Sequence, residues 1–132
     1  MKVFVDTSAL YSILDRDETH HHRTVAAWKR LLADSASLLT SNYVLLETGA
    51  LAQHHLGMAA VRALYEDLCP ILSIEWVSEA IHRAAMEAVL TASRKKLSLV
   101  DCVSFQLMRA AGVRAAFALD HHFREQGFEL LP

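Results

Sequence analysis

The chain alternates between short apolar runs and longer segments in which apolar residues recur every three or four positions. The short runs predict β-strands, which we place at Lys2 to Val5, Ser37 to Thr40, Ile71 to Val77, Arg114 to Leu119 and Phe128 to Leu131. Most of these runs are almost continuously apolar, which is typical of strands that are buried on both faces. They therefore favour a parallel sheet.

The segments of helical periodicity lie between the predicted strands. We expect helices at Ala9 to Leu14, Thr24 to Ala33, Asn42 to His55, Ala59 to Cys69, Ser78 to Ala92 and Leu99 to Ala111. Gly57 and Gly112 follow two of these segments, where glycine commonly ends a helix. The alternation of strands and helices predicts an α/β fold, a three-layer α/β/α sandwich with a central parallel sheet of about five strands.

Composition indicates one compact domain over residues 1–132. Hydrophobic residues make up 53% of the chain and charged residues 21%, and two prolines with four glycines mark no linker. No apolar run reaches the roughly 18 residues of a membrane span, and Asp6 comes too early for a signal peptide. We therefore expect a cytoplasmic protein without a membrane segment. Cys69 and Cys102 stand far apart in apolar surroundings, so we expect both to be reduced core residues.

The formal net charge of −2 limits how this chain could bind nucleic acid. Proteins that bind by overall electrostatic attraction usually carry a strong basic excess, so any such contact here must be local. The candidate patch is Arg94, Lys95 and Lys96. The alternative interpretation of this patch is a solvated helix end.

Two aspartates directly follow predicted strands. Asp6 comes after Val3 to Val5, and Asp120 comes after Ala115 to Leu119. In an open parallel sheet the ligand crevice lies beyond the carboxyl ends of the strands, so these positions are the first candidates for chemistry. The alternative for each residue is that it caps the helix that follows.

Two further carboxylates lie in predicted helices among apolar neighbours. Glu47 shares a helical face with Tyr43, Ala50 and Leu51, and an ionised Glu on an inward face needs a partner. Asp101 shares a face with Phe105 and Met108, but with Ser98 it also forms the pattern of a capping box. Capping and metal binding are compatible roles for a carboxylate at a helix start.

Four carboxylates that converge on one crevice repel one another, and such a cluster persists only if a cation neutralises it. Hard oxygen ligands select Mg²⁺ or Mn²⁺ over zinc. A carboxylate-bound Mg²⁺ keeps several waters, and the chemistry that this implies is hydrolysis of a phosphodiester bond. The spacing of single carboxylates along a chain does not by itself demonstrate that they converge.

Four motifs in order resemble those of the PIN-domain family. They are Val5-Asp6-Thr7-Ser8-Ala9-Leu10, Glu47 after an apolar helix start, Leu97-Ser98-Leu99-Val100-Asp101-Cys102, and Leu119-Asp120-His121-His122-Phe123 with the later Gly127-Phe128. The resemblance extends from Met1 to the last strand. It implies a metal-dependent ribonuclease in which Asp6, Glu47, Asp101 and Asp120 are the acidic, catalytic residues that hold Mg²⁺ or Mn²⁺.

The resemblance carries further expectations about the fold and the site. It implies that the first strand lies near the middle of the sheet and that Thr7, Ser8 and Ser98 support the acidic residues. Family members often have Thr or Ser two residues before the last Asp, where this chain has Ala118. That departure puts one supporting hydrogen bond in doubt.

Small PIN proteins of this size resemble the VapC-type toxins of toxin–antitoxin pairs. The resemblance implies a single-stranded or structured RNA substrate, a small antitoxin protein that occupies the active-site groove, and a homodimer. Ala59 to Leu68 is a candidate dimer contact, although a buried core helix explains the same apolarity.

A housekeeping RNA-processing nuclease and a non-catalytic PIN-like module that binds RNA or protein remain alternatives. A haloacid-dehalogenase-type phosphotransferase is disfavoured, because that class needs a second Asp where this chain has Ser8. A response-regulator receiver is disfavoured because neither its acidic pair nor its late Lys is evident.

Histidines and aromatic residues add little to the predicted site. The clusters His20 to His22, His54 to His55 and His121 to His122 lack the spacing of a zinc hydrolase. We expect the first cluster in a solvated loop and the last at the surface; the alternative for His121 and His122, which follow Asp120, is contact with a phosphate or leaving group. The core-like aromatic residues are Trp28, Trp76, Phe105 and Phe117. Tyr11 is the one aromatic residue that we expect near the acidic residues.

Overall fold

A central sheet of five parallel strands organises the computed structural model, which describes residues 1–132. The strands are β1 (Lys2–Val5), β2 (Ser37–Ser41), β3 (Ser73–Glu75), β4 (Ala115–Phe117) and β5 (Glu129–Leu131). Their order across the sheet is β3-β2-β1-β4-β5, and every neighbouring pair is parallel. The predicted parallel sheet with the first strand at its centre is confirmed.

Helices connect the strands and cover both faces of the sheet. They are α1 (Thr7–Leu14), α2 (His21–Ala33), α3 (Asn42–His55), α4 (Met58–Arg62), α5 (Glu79–Ala92), α6 (Leu99–Ala111) and α7 (His122–Glu125). Successive side chains of a strand point to opposite faces, and Val3, Phe4 and Val5 are all fully buried, so neither face of β1 meets solvent. This confirms the three-layer α/β/α arrangement. None of the helices combines the length and the apolar character that a bilayer crossing requires.

The third strand is shorter than the apolar run that predicted it. Cys69–Ile71 form a 3-10 turn that contains Pro70, and β3 begins only at Ser73. β3 is an edge strand that pairs with β2 alone, and Trp76 just beyond its end is 76% exposed. The prediction that Trp76 belongs to the core is therefore wrong, because the apolar run continues past the part of the strand that the sheet covers. The other three predicted core aromatic residues are buried: Trp28, Phe105 and Phe117.

Several helices also differ from their predicted bounds. α2 begins at His21, three residues before the predicted start, and the short α7 was not predicted. The predicted helix from Ala59 to Cys69 divides into α4, a π-helical turn at Ala63–Leu68 and the 3-10 turn. Leu64 and Leu68 of this segment pack in the core, so core packing accounts for part of its apolarity.

Hydrogen bonds tie together the carboxyl ends of the three central strands. The hydroxyl of Thr40 on β2 donates to the carbonyl oxygen of Val5 on β1 at 2.8 Å. The backbone N–H of Asp6 donates to the carbonyl oxygen of Phe117 on β4 at 3.0 Å. The residues that follow β1, β2 and β4 therefore start from one edge of the sheet.

Candidate active site

Asp6 lies directly after the central strand, where it caps α1. The residue is 3% exposed, and its Oδ2 accepts hydrogen bonds from the backbone N–H and the hydroxyl of Ser8, at 3.1 and 2.7 Å. Burial raises the pKa of Asp6 to about 7. The two bonds from Ser8 oppose this rise, and the negative charges of Asp101 and Glu47 add to it. The N-cap interpretation is correct, and the carboxylate also lies close to other acidic residues.

Ser8 connects Asp6 to the neighbouring strand. While its hydroxyl donates to Asp6, its oxygen accepts from the backbone N–H of Leu119 at 2.9 Å. Leu119 follows β4 and immediately precedes Asp120, so one side chain sets the separation of the two strand ends. Thr7 is also buried, and its hydroxyl has no hydrogen-bond partner.

Asp101 lies in the first turn of α6 and completes a capping box with Ser98. Its backbone N–H donates to the Ser98 hydroxyl, and its Oδ2 accepts from the Ser98 backbone N–H, both at 3.1 Å. The residue is 8% exposed, and burial raises the pKa of its carboxyl; the bonds to Ser98 oppose the rise, and the charge of Asp120 adds to it. The capping box uses Oδ2, and Oδ1 takes part in no hydrogen bond.

Asp120 follows β4 and comes close to both Asp101 and His122. Its Oδ1 accepts a hydrogen bond from the backbone N–H of His122 at 2.9 Å, at the start of α7. One potential ligand atom from each of Asp101, Asp120 and His122 lies within 4.8 Å of the other two. His122 is 5% exposed, so the prediction that it lies at the surface is wrong; His121 is exposed as expected.

Glu47 lies at the border of the buried face of α3. That face consists of Val44, Leu45, Thr48, Gly49 and Ala52, whereas Glu47 is half-buried. Ala50 and Leu51, which we expected beside it on an inward face, are exposed, so the predicted face is rotated from the true one. Glu47 still lies close enough to Asp6 for its charge to raise the pKa of that carboxyl.

The structure places Asp120 beside Asp101 and brings Asp101 and Glu47 near enough to Asp6 for their charges to raise its pKa. No Lys or Arg side chain pairs with any of these four residues. The ion pairs that Lys and Arg form involve other residues, and the only basic groups within 4.0 Å of the Asp120 carboxylate are the rings of His121 and His122. Like charges this close oppose ionisation unless a cation compensates them. An all-oxygen set of this kind, beside the unpartnered Thr7 hydroxyl, fits a hard divalent cation.

An apolar groove of about 330 Å³ lies beside Glu47, between α3, α5 and α6. It is lined by Tyr43, Leu46, Glu47, Ala50, His82, Leu99 and Val100. Tyr43 and His82 are hydrogen-bonded across it through the tyrosine hydroxyl and Nδ1. Leu46 is 71% exposed on this surface. Glu47 is therefore the one of the four acidic residues that lines this mostly apolar groove.

The predicted basic patch follows the C-terminal end of α5. Arg94, Lys95 and Lys96 are all exposed. The guanidinium of Arg94 pairs with Glu125 of α7 at 3.1 Å, whereas Lys95 and Lys96 form no ion pair. Two of the three charges are therefore free to meet an external anion, while the third is partly neutralised within the chain.

Tyr11 is not part of the site. Its ring packs edge-on against that of His55 at a centroid distance of 6.4 Å, and it lies near Asp15 and Glu18.

Ala118, the departure from the family motif, is 1% exposed, and its backbone N–H donates to the carbonyl oxygen of Leu131. Cys69 and Cys102 are free thiols, in agreement with the expectation that neither forms a disulfide.

Comparison with known proteins gives one family. The family model of the PIN domain matches residues 3–129. The 23S rRNA-specific endonuclease VapC20 of Mycobacterium tuberculosis is 31% identical over 127 residues, which cover 96% of this chain and 95% of VapC20. The crystal structure of VapC20, a sarcin–ricin loop cleaving toxin, matches with a TM-score of 0.80 at 32% identity, covering 96% of this chain and 95% of that one.

A second solved structure shares the fold alone. FitAcB from Neisseria gonorrhoeae matches with a TM-score of 0.71 at 15% identity, and the match covers 98% of this chain and 96% of that one.

The buried Asp6 carboxyl predicts how stability depends on pH in the presence of a chelator. Its pKa is about 7 in the folded protein, against about 3.9 in an unfolded chain. Between these values the folded state binds more protons than the unfolded state, so the free energy of unfolding falls as pH rises. We expect Asp6→Asn to flatten this fall between pH 4 and 7 and to be the more stable protein at pH 7.

Urea denaturation at a series of pH values measures this effect. Asp17→Asn is the matched control, because Asp17 is exposed and the substitution is the same. Asn caps a helix about as well as Asp, so loss of the cap does not confuse the comparison. Parallel pH profiles for the parent and Asp6→Asn would contradict the prediction.

Proposed function

The chain belongs to the PIN-domain family, and on this premise we propose that it is a divalent-metal-dependent endoribonuclease. The observation that carries the proposal is that Asp6 and Asp101 are buried carboxylates whose pKa values are raised further by other acidic residues, Asp101 and Glu47 for Asp6 and Asp120 for Asp101. No Lys or Arg side chain neutralises them. Such a group is unfavourable without a cation and suited to one. The identity with an endonuclease over nearly the whole chain supports the same activity.

In this proposal Asp6, Glu47, Asp101 and Asp120 hold Mg²⁺ or Mn²⁺. When bound, the ion would activate a water and stabilise the charge that develops on the phosphate. Ser8 orients Asp6 through two hydrogen bonds, and Ser98 orients Asp101 through the capping box. The unpartnered Thr7 hydroxyl is a donor available to a polar ligand atom.

The substrate in this proposal is RNA. VapC20 acts on 23S rRNA, which makes the sarcin–ricin loop a suitable first substrate for assay. We propose that Lys95 and Lys96 contact phosphates of the RNA, since both are exposed and unpaired with carboxylates. The alternatives, a housekeeping nuclease or a non-catalytic module, have no observation in their favour here.

We also infer that the groove beside Glu47 receives a segment of a small antitoxin. The groove is mostly apolar and Glu47 lines it, so a peptide with apolar side chains and a nearby basic side chain is complementary. Such a segment would cover Glu47. A homodimer, which the family resemblance implies, belongs to the same proposal.

Replacement of one acidic residue should abolish cleavage without unfolding the protein. We expect the parent to cleave a sarcin–ricin loop RNA with Mg²⁺ or Mn²⁺ and not with chelator, and Asp101→Asn to lose activity by orders of magnitude. Saturating metal should raise the parent's free energy of unfolding, by about 2.7 kcal/mol at 100 times Kd, and raise that of Asp101→Asn much less.

The control for this experiment is Asp34→Asn, since Asp34 is exposed and makes no ion pair. Gel-based cleavage and thermal unfolding with and without metal provide the two measurements. Full metal-dependent cleavage by Asp101→Asn would remove that residue from the site. Retained RNA binding with no cleavage by the parent would favour the non-catalytic alternative.

Replacement of Lys95 and Lys96 with Ala should weaken RNA binding with little change in stability. Each exposed lysine that contacts a phosphate releases counterions, so the slope of log K against log salt should fall by about 1 to 2 in the double variant. Titration of RNA at several salt concentrations measures the slope. Lys29→Ala with Arg30→Ala on α2 is the control, and an unchanged slope for Lys95 and Lys96 would exclude them from the interface.

If an antitoxin segment occupies the apolar groove beside Glu47, a charged side chain placed in that groove should weaken antitoxin binding. Where a short gene overlaps or precedes that of this chain, we expect its product to bind the purified chain and inhibit cleavage. Leu46→Lys should weaken that binding about tenfold or more, since it places a lysine in an apolar contact. Leu90→Lys on α5 is the matched control, because Leu90 is equally exposed and outside the groove. Equal affinities for both variants would place the partner elsewhere.

A further inference from the structure

His122 is a buried imidazole whose ring makes no hydrogen bond. Its side chain is 6% exposed, and Nδ1 is buried from water and has no hydrogen-bond partner in the protein. Nε2 lies 3.8 Å from Oδ1 of Asp120, and His122, Asp101 and Asp120 each present a ligand atom within 4.8 Å of the others. A buried polar ring without a partner is costly unless something else engages it.

We propose that Nε2 of His122 is a ligand of the divalent metal, beside the carboxylates of Asp101 and Asp120. This inference rests on the proposed metal-dependent function and extends it, because it adds a nitrogen to a site predicted to contain oxygen ligands alone. The ion then engages Nε2 of the buried ring as well as the two carboxylates, and Nδ1 is left to a neighbouring acceptor.

The distances are compatible with shared coordination. Ligand atoms at about 2.1 Å from an octahedral ion are separated by roughly 3 Å when adjacent and roughly 4.2 Å when opposite. The 3.8 Å between His122 and Asp120 lies within this range. The site therefore needs only small side-chain adjustments to bind both atoms to one ion.

A carboxylate on the other side of the ring supports the assignment. Oε2 of Glu125 lies 3.6 Å from Nδ1 of His122, too far for a hydrogen bond but close enough to form one after a small shift. Arg94 holds the same oxygen at 3.1 Å. Metal-bound histidines usually donate their second ring N–H to a carboxylate, which fixes the ring and makes it a better ligand.

A second grouping shares His122 and is less suited to hold the ion. His121, His122 and Glu125 also present ligand atoms within 4.8 Å of one another. However, the side chain of His121 is 72% exposed, and Glu125 is already paired with Arg94. The grouping with Asp101 and Asp120 is the more buried one and lacks a neutralising Lys or Arg.

A nitrogen ligand has a consequence for metal preference. Mg²⁺ favours oxygen ligands, whereas imidazole suits transition-metal ions. We therefore expect the parent to bind Mn²⁺ more tightly than Mg²⁺, and the removal of His122 to weaken Mn²⁺ by about tenfold or more while it affects Mg²⁺ less.

Pulsed electron paramagnetic resonance of Mn²⁺ bound to the parent tests the proposal directly. A coordinated imidazole produces nitrogen modulation of the electron spin echo, which carboxylates and water do not. We expect this modulation in the parent, its loss in His122→Leu and its retention in His121→Leu. Calorimetric titration of the same proteins with Mn²⁺ and Mg²⁺ gives the two affinities.

Each outcome distinguishes the ligand assignment from the metal site itself. Saturable Mn²⁺ binding without nitrogen modulation in the parent, or with modulation that survives in His122→Leu, overturns the role of His122 and leaves the carboxylate site in place. Loss of modulation in His121→Leu alone assigns the nitrogen to the neighbouring residue and also overturns the proposal. Absence of saturable Mn²⁺ binding overturns both proposals. Because the first measurement uses the parent protein, a folding defect in His122→Leu does not prevent the test.

Discussion

The repulsion among desolvated carboxylates is the constraint on which the rest of this site depends. Burial is the largest cause of a pKa of about 7 for Asp6, and the charges of Asp101 and Glu47 act in the same direction. The protein opposes this cost with local donors, Ser8 for Asp6 and Ser98 for Asp101. These hydrogen bonds offset only part of the free-energy cost of ionising buried carboxylates. A bound cation would therefore stabilise the folded protein further.

The parallel sheet is what makes such a concentration of charge possible. Because β1 is central and β2 and β4 flank it, the residues after all three strands start from one edge. The hydroxyl of Ser8 spans two of these strand ends, from Asp6 to the backbone of Leu119. Small shifts of β4 relative to β1 would therefore change the separation of Asp6 and Asp120 directly.

The three basic residues after α5 differ in their contacts, although all three were assigned to one patch from the sequence. Lys95 and Lys96 remain free for an external anion, whereas Arg94 binds Glu125, which in turn lies beside the ring of His122. Arg94, which was counted as part of an RNA-binding patch, thus also connects the segment after α5 to α7. The segment of the proposed nucleic-acid surface is therefore connected through Glu125 to the surroundings of His122 in the proposed metal site.

The sequence by itself determined the features that arise from neighbouring residues. Periodicity predicted the strands, strand ends placed Asp6 and Asp120, and the Ser98 to Asp101 spacing predicted a capping box, because each depends on contacts within a few positions. Only the tertiary structure decided that Glu47 approaches Asp6, that His122 is buried and that Trp76 is exposed. These outcomes depend on which elements pack over each residue, and the free energy of that packing comes from residues distant in the chain, which periodicity does not encode.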